Sequence, residues 1–255
     1  MSDMTSSAPP EPDETAAVAL ATRAETASLS PASADMVQSV TTLDRSIKAR
    51  RDSDTSLINY WLYLFIVNPC TLGIYGLVLW FKRINRIDGF TTRKQAYYTG
   101  LIEWTERYAR QQGKEDVVHH ELADLRGEVA SAYKGRLKPI KAGLSFLITL
   151  GTLGIYGFFV LHRLNGYWWD AQVLEQDFDD ALSQAWTKLD LMRYPLTFTL
   201  DQGKRRSFPL YLILSIVTFG IWWIVWDYKI QTDPENLYPS FHSVEDTVLT
   251  TVRAH

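Results

Sequence analysis

Three groups of residues have the types that chemistry uses. His119-His120-Glu121 has metal-ligand chemistry, but adjacent histidines on a helix project from different faces, and no metal site is read from it. The acidic run Glu175, Asp177, Asp179, Asp180 has the carboxylates of general acid–base catalysis. Nothing in the sequence around it forms an apolar pocket, so it reads as a solvated helix face. Cys70 stands alone, which rules out an intramolecular disulfide or a cysteine-based zinc cluster and leaves it as a small apolar residue. Phosphate loops and nucleophile–base signatures are absent, so the expectation is a protein without an enzymatic role, catalytic residues, metal or cofactor. A net charge of -3 is too close to balance for a nucleic-acid binder.

The elements that carry these residues are marked by where charge is missing. Lys, Arg, Asp and Glu make up 22% of the 255 residues yet vanish from Thr55 to Phe81, Ala142 to Leu161 and Ser207 to Trp226. Each window reaches about 20 residues, the length at which a membrane segment becomes the default reading. Met1 to Asp35 shows no basic start followed by an apolar run. Insertion is therefore expected through the internal windows, with the amino terminus left in the cytoplasm.

One pattern recurs inside the windows: Thr71-Leu72-Gly73-Ile74-Tyr75, Thr152-Leu153-Gly154-Ile155-Tyr156 and Thr218-Phe219-Gly220-Ile221-Trp222. An apolar arm of about ten residues precedes each copy, and nine positions beyond each motif glycine the residue is basic: Lys82, Arg163 and Lys229. Glycine admits backbone angles other residues avoid, and threonine can return its hydroxyl to the backbone, so T-x-G predicts a bend. Asn68-Pro69 reinforces the first. Thr71, Gly73, Tyr75, Thr152, Gly154, Tyr156, Thr218, Gly220 and Trp222 are thus the structural motif residues.

Basic residues flank both sides of the windows, whereas an ordinary span concentrates them on one. The predicted architecture is an all-α membrane protein of three repeated hydrophobic helical hairpins that enter and leave by the cytoplasmic face, each followed by amphipathic cytoplasmic helices. Kinked full spans, forming a pore or transporter subunit, are the alternative. Arg50, Arg51, Lys82, Arg83, Arg163, Lys204, Arg205, Arg206 and Lys229 are the expected contacts to anionic lipid headgroups.

The polar segments complete four parts. Residues 1–50 are rich in Ala, Ser, Thr, Pro and acids and read as a disordered tail. Repeat 1 is 51–135, with a helical segment 92–133 broken at Gly113 and striped by Val118, Leu122, Leu125, Val129 and Tyr133. Repeat 2 is 136–203, with a helix over 167–189 and a strand-like alternation from Tyr194 to Leu200. Repeat 3 is 204–255, interrupted at Asp233-Pro234-Glu235 and ending in a helix over 243–253.

The three copies resemble a family of small bacterial membrane domains of unknown function, whose hallmark is an apolar run broken by T-x-G-I-[YW] and closed by an aromatic and basic stretch. Leu72-Gly73-Ile74-Tyr75-Gly76 to Trp80-Phe81-Lys82 carries the resemblance best, and the third copy departs from it with Trp223 in place of the second glycine. The resemblance implies a membrane location and a bacterial origin, hence the inner membrane, and it supplies no activity, cofactor or catalytic residue to carry over. With the residue reading it gives an integral membrane scaffold or accessory protein, oligomeric or bound to a membrane partner, and able to shape the bilayer.

Overall fold

The computed structural model describes residues 31–255 and is all-helical over them. Three hairpins, each with one short and one long arm, account for most of it. Helix α1 (Pro31–Lys48) and the single turn α2 (Arg50–Ser53) lead in. The first short arm is a run of α3 (Tyr60–Leu62), a π-helical turn (Tyr63–Val67) and α4 (Asn68–Cys70), with the Asn59 side chain capping its start. Its long arm is α5 (Ile74–Gln111). After α6 (Glu115–Lys134), the second hairpin pairs α7 (Ala142–Gly151) with α8 (Ile155–Lys188), and the third pairs α9 (Phe208–Val217) with α10 (Ile221–Ala254).

Each short arm folds back on its own long helix. Tyr211 packs on Trp222 and Trp226 at 5.7 and 5.6 Å between ring centroids, and Tyr63 on Tyr75 at 6.1 Å. Each short arm also leans on the long helix of another hairpin, in cyclic order. The first reaches α10 through Tyr60, whose hydroxyl donates to the Ile224 carbonyl at 3.0 Å. The second is tied to α5, where the Asp88 carboxylate accepts from the Ile140 and Ala142 amides at 2.7 and 3.1 Å. The third meets α8, with the ring of Phe208 against His162 and the Asn165 amide donating to the Arg206 carbonyl at 3.2 Å. Glu235 repeats the Asp88 device: fifteen positions past Gly220, as Asp88 is past Gly73, it accepts from the Leu57 amide at 3.0 Å.

The long helices share an aromatic core, with Phe90 against Phe241, Tyr98 against Phe178 and Trp104 against Trp186. The Trp186 indole donates to Thr105 Oγ1 at 2.9 Å. Helix α6 covers α5 and α8 with the expected stripe of Val118, Leu122, Leu125 and Val129, all buried.

Four expectations are corrected. Residues 31–50 are not part of a disordered tail: α1 packs on α5 and buries Leu43, while the rest of the expected tail, 1–30, lies outside the described residues. The helical segments are not separate from the hairpins: α5, α8 and α10 carry each second arm onward without a break, and in the first repeat a new helix, α6, starts past the expected break at Gly113. In the third repeat α10 runs through Pro234 and Pro239 rather than restarting near Ser243. Proline removes a hydrogen bond and crowds the preceding turn, but tertiary packing compensates: Pro234 itself is buried, and Arg86 donates to the Gln231 carbonyl within that turn at 2.8 Å. Finally, Tyr194 to Leu200 belongs to no strand, and no strand occurs among the described residues. Its period-two burial is present at Leu196 and Phe198, but Leu196 N–H is taken by Ser183 Oγ and Asp201 N–H by Gln172 Oε1 instead of a ladder. Among the described residues no helix is long and apolar enough to cross a membrane, which leaves the three-span alternative without its elements.

Candidate functional site

The recurring motif forms the same turn three times. Leu72, Leu153 and Phe219 have φ of 49, 50 and 50°, and Gly73, Gly154 and Gly220 have φ of 84, 91 and 89°. Two left-handed residues in succession reverse the chain, the glycine at no steric cost and the larger residue under strain. The glycine amide donates five residues back, to Asn68, Thr149 and Ser215 carbonyls at 2.8 Å each. The residue before it donates three back, at 3.0, 3.2 and 3.1 Å, completing a Schellman closure of the short arm.

Threonine joins the two arms. Its hydroxyl donates to the carbonyl four residues before it, in Val67, Ile148 and Leu214, at 2.8, 2.8 and 2.7 Å. It also accepts from the amide of the aromatic residue four positions after it, in Tyr75, Tyr156 and Trp222, at 3.2, 3.0 and 2.9 Å. With the remaining turn bonds, every backbone N–H from 71 to 76, from 152 to 157 and from 218 to 223 has an intramolecular acceptor. The donors of such a turn need no water, although it lies on the surface.

The side chains around these turns are apolar and outward. Leu72, Leu153 and Phe219 are 91, 94 and 98% exposed. Phe65, Ile74, Leu147, Leu150, Ile155, Ile216 and Ile221 extend the patch, and Cys70 is exposed within it. Large apolar side chains so exposed are concentrated at the three turns. Lys82, Arg163 and Lys229 stand nine residues from their glycines, about 14 Å along a helix at 1.5 Å per residue.

The basic residues divide into two groups. Arg51, Lys82 and Arg205 are exposed, with Arg205 over the Trp169 ring; Arg163 and Lys229 are half-buried, Arg163 donating to the Lys138 carbonyl at 2.6 Å. Arg50, Arg83, Lys204 and Arg206 face inward. Arg83 pairs with Asp227 and donates to Gln231 at 2.9 Å, Lys204 and Arg206 share Asp233, and Arg50 reaches Glu245 at 2.7 Å and Asp246 at 2.6 Å. Carboxylates, rather than a lipid surface, are their partners in this fold.

A second feature, unread in the sequence, lies deeper in the bundle. Lys94 Nζ sits between Glu175 and Glu245 at 2.8 and 2.9 Å; Arg93 joins Glu245 at 2.8 Å and Asp54 at 2.7 Å, and Tyr98 donates to Glu175. Burial raises the Glu175 carboxyl above its ordinary range, against the pull of Lys94. Burial also works on Glu245, but Lys94, Arg93 and Arg50 outweigh it and hold that carboxyl at about 2. Burial, then the neighbouring Glu175 charge, pushes Asp179 up to about 9. The acidic run is therefore not a solvated face: Glu175 and Asp179 are buried, Asp177 and Asp180 exposed. The missed signal was spacing, since Glu175 falls in the stripe Ala171, Phe178, Leu182, and Lys94 in the stripe Phe90, Tyr97, Leu101. His120 pairs with Asp124 at 2.7 Å on the surface.

No family model, no curated protein and no solved structure matches the chain.

Proposed function

We propose that the chain is a monotopic membrane protein, a scaffold or accessory component without catalytic chemistry of its own, that seats its three hairpin tips in one leaflet. The observation that carries this reading is the closed turn: three outward tips expose Leu72, Leu153 and Phe219 while leaving no backbone N–H in the turn unpaired. In hydrocarbon each unsatisfied backbone group costs several kcal/mol, and in water each exposed large apolar side chain forgoes about 2 kcal/mol of burial. The apolar term favours the tips in lipid, and the pairing of the N–H groups lowers the cost of placing them there. The depth agrees, because about 14 Å from glycine to the basic level is close to half of a hydrocarbon core about 30 Å thick. Lys82 and Arg205, with exposed Lys134, Arg136, Lys138 and Lys141 leading into the second hairpin, are placed to meet anionic headgroups. The compartment proposed is the cytoplasmic face of a bacterial inner membrane, where the long helices offer a surface to sister copies or membrane partners.

Sidedness tests it. In a Cys70→Ser background, single cysteines replace the exposed Thr92 and Thr199, and intact cells are treated with a membrane-impermeant thiol reagent. Both cysteines should stay unlabelled until lysis, in a chain that sediments with membranes and resists alkaline carbonate. Labelling of one site alone in intact cells, or release by carbonate, would overturn the reading.

A further inference from the structure

We propose that the connection 191–201, which carries the chain from α8 to the third hairpin, is a strap that lifts from α8 when the Asp179 carboxyl loses its proton. The strap is tied to α8 at two points: Ser183 Oγ accepts from the Leu196 amide at 2.8 Å, and Gln172 Oε1 accepts from the Asp201 amide at 2.7 Å. The two spans agree. Gln172 and Ser183 lie 11 residues apart on a helix, about 16 Å, and Leu196 to Asp201 is five residues of extended chain, again about 16 Å. Asp179 stands seven residues past Gln172 and four before Ser183, a spacing that puts all three on one face of α8. It therefore lies beneath the strap, between the two ties.

No counter-ion meets a charge at that place. Asp179 is 2% exposed, its Oδ2 has no hydrogen-bond partner, and no cation lies within ion-pair distance of it among the described residues. The neighbouring buried carboxylates have theirs: Arg93 joins Asp54, Lys94 joins Glu175, and Arg50 joins Glu245. The ionisable groups around Asp179 are Glu175 and Asp180 of its own helix, Lys94, Tyr97 and Tyr98 of α5, and Glu245 of α10. From α6, Glu128 meets Asp177 rather than Asp179, and the ionisable residues of the strap, Arg193, Tyr194 and Asp201, are exposed. A carboxylate left unpaired in such a place is unfavourable, so Asp179 sits there as the neutral acid and needs water to ionise.

The strap is the element that can admit it. The amides of Thr197, Phe198, Thr199 and Leu200 have no intramolecular acceptor among the described residues, so the two ties and the buried side chains of Leu191, Leu196 and Phe198 hold the strap down. Segments with so few backbone bonds are the first to open. A cavity of about 410 Å³ already parts the first half of the strap from Ser243, Val244 and Thr247 of α10. Opening and ionisation are then one event. The closed strap holds a proton that the open one releases, so the opening constant rises about tenfold per pH unit from the ordinary aspartate range up to about 9, where burial and the Glu175 charge hold the closed carboxyl.

The test uses the full chain, purified in mild detergent, in a Cys70→Ser background. Phe198→Cys places a thiol under the strap and Thr199→Cys an exposed one beside it, so the ratio of their labelling rates cancels the ionisation of the thiol itself. From pH 6 to pH 8 that ratio should rise by about 100-fold, and with Asp179→Asn added it should stay level. Labelling of Phe198→Cys should also be insensitive to low urea, because a local opening exposes little surface. The native Phe198 gives a second reading that needs no thiol in the strap. Chymotrypsin should cut after it faster in wild type than in Asp179→Asn, by a factor that grows from pH 6 to pH 8. A level ratio without the Asp179 substitution, an equal rise with it, labelling that accelerates steeply in low urea, or equal cutting of the two chains would each overturn the strap.

Discussion

The ammonium of Lys94 lies 2.8 Å from the carboxylate of Glu175, with neither residue more than 1% exposed. The same ammonium reaches Glu245, so one cation joins α5, α8 and α10 where the bundle excludes water. Burying charge is unfavourable unless each ion is compensated, and removing one partner leaves the others stranded. Lys94→Met should therefore destabilise the chain by about 3–5 kcal/mol. Chemical denaturation in detergent micelles would measure this, and adding Glu175→Gln to Lys94→Met should recover part of the loss.

Asp179 gives the core a pH dependence of definite sign. Its carboxyl is raised from 3.8 to about 9 by burial and by Glu175, Asp180 and Glu245, against the opposing charge of Lys94. Over that span the folded chain holds a proton that the unfolded chain releases. The stability it contributes is complete below the ordinary aspartate range and falls as pH rises towards 9. Asp179→Asn should leave denaturation midpoints at pH 5 and pH 8 closer together than in wild type. Glu245, held at about 2, acts oppositely: its contribution is present above 4.5 and is lost as pH falls towards 2.

The tips set stability against membrane attachment. Leu153 has φ of 50° and is almost fully exposed, so Leu153→Gly should remove about 1 kcal/mol of backbone strain while deleting apolar surface. A higher melting temperature in detergent, combined with weaker flotation on anionic vesicles, is the expected pair of results.

The motif glycines answer to conformation rather than space. A Cβ at Gly73, Gly154 or Gly220 would meet nothing within 4 Å, yet each φ lies in the left-handed region. Gly154→Ala should cost about 1–2 kcal/mol, and Gly154→Asn less, because asparagine tolerates that region better. Thermal melts of the two variants would rank them.

Much of the local plan was legible in the sequence. The bend at each T-x-G, the stripe of α6 and the alternation at Leu196 and Phe198 follow from residue spacing alone. What stayed hidden depends on residues distant in the chain. Arg83 is buried by Asp227, 144 positions away, and Lys204 by Asp233; an isolated flank of lysine and arginine looks identical whether it faces headgroups or carboxylates. Asp233-Pro234 carries a helix-breaking signature that packing overrides. Helix α1 has too few apolar residues to advertise itself, and its place is set by the groove it fills on α5.

Unbroken long helices give the molecule a mechanical character. Lys94 and Glu175 each stand 21 residues from their motif glycine and Glu245 stands 25 from Gly220, so the tips end stiff rods about 32 Å, 32 Å and 38 Å from a shared ionic fulcrum. Two of the rods have no proline, while the third carries Pro234 and Pro239 between tip and fulcrum. Sideways force on the tips thus meets two levers with complete backbone ladders and one whose ladder lacks the two N–H donors that proline cannot supply.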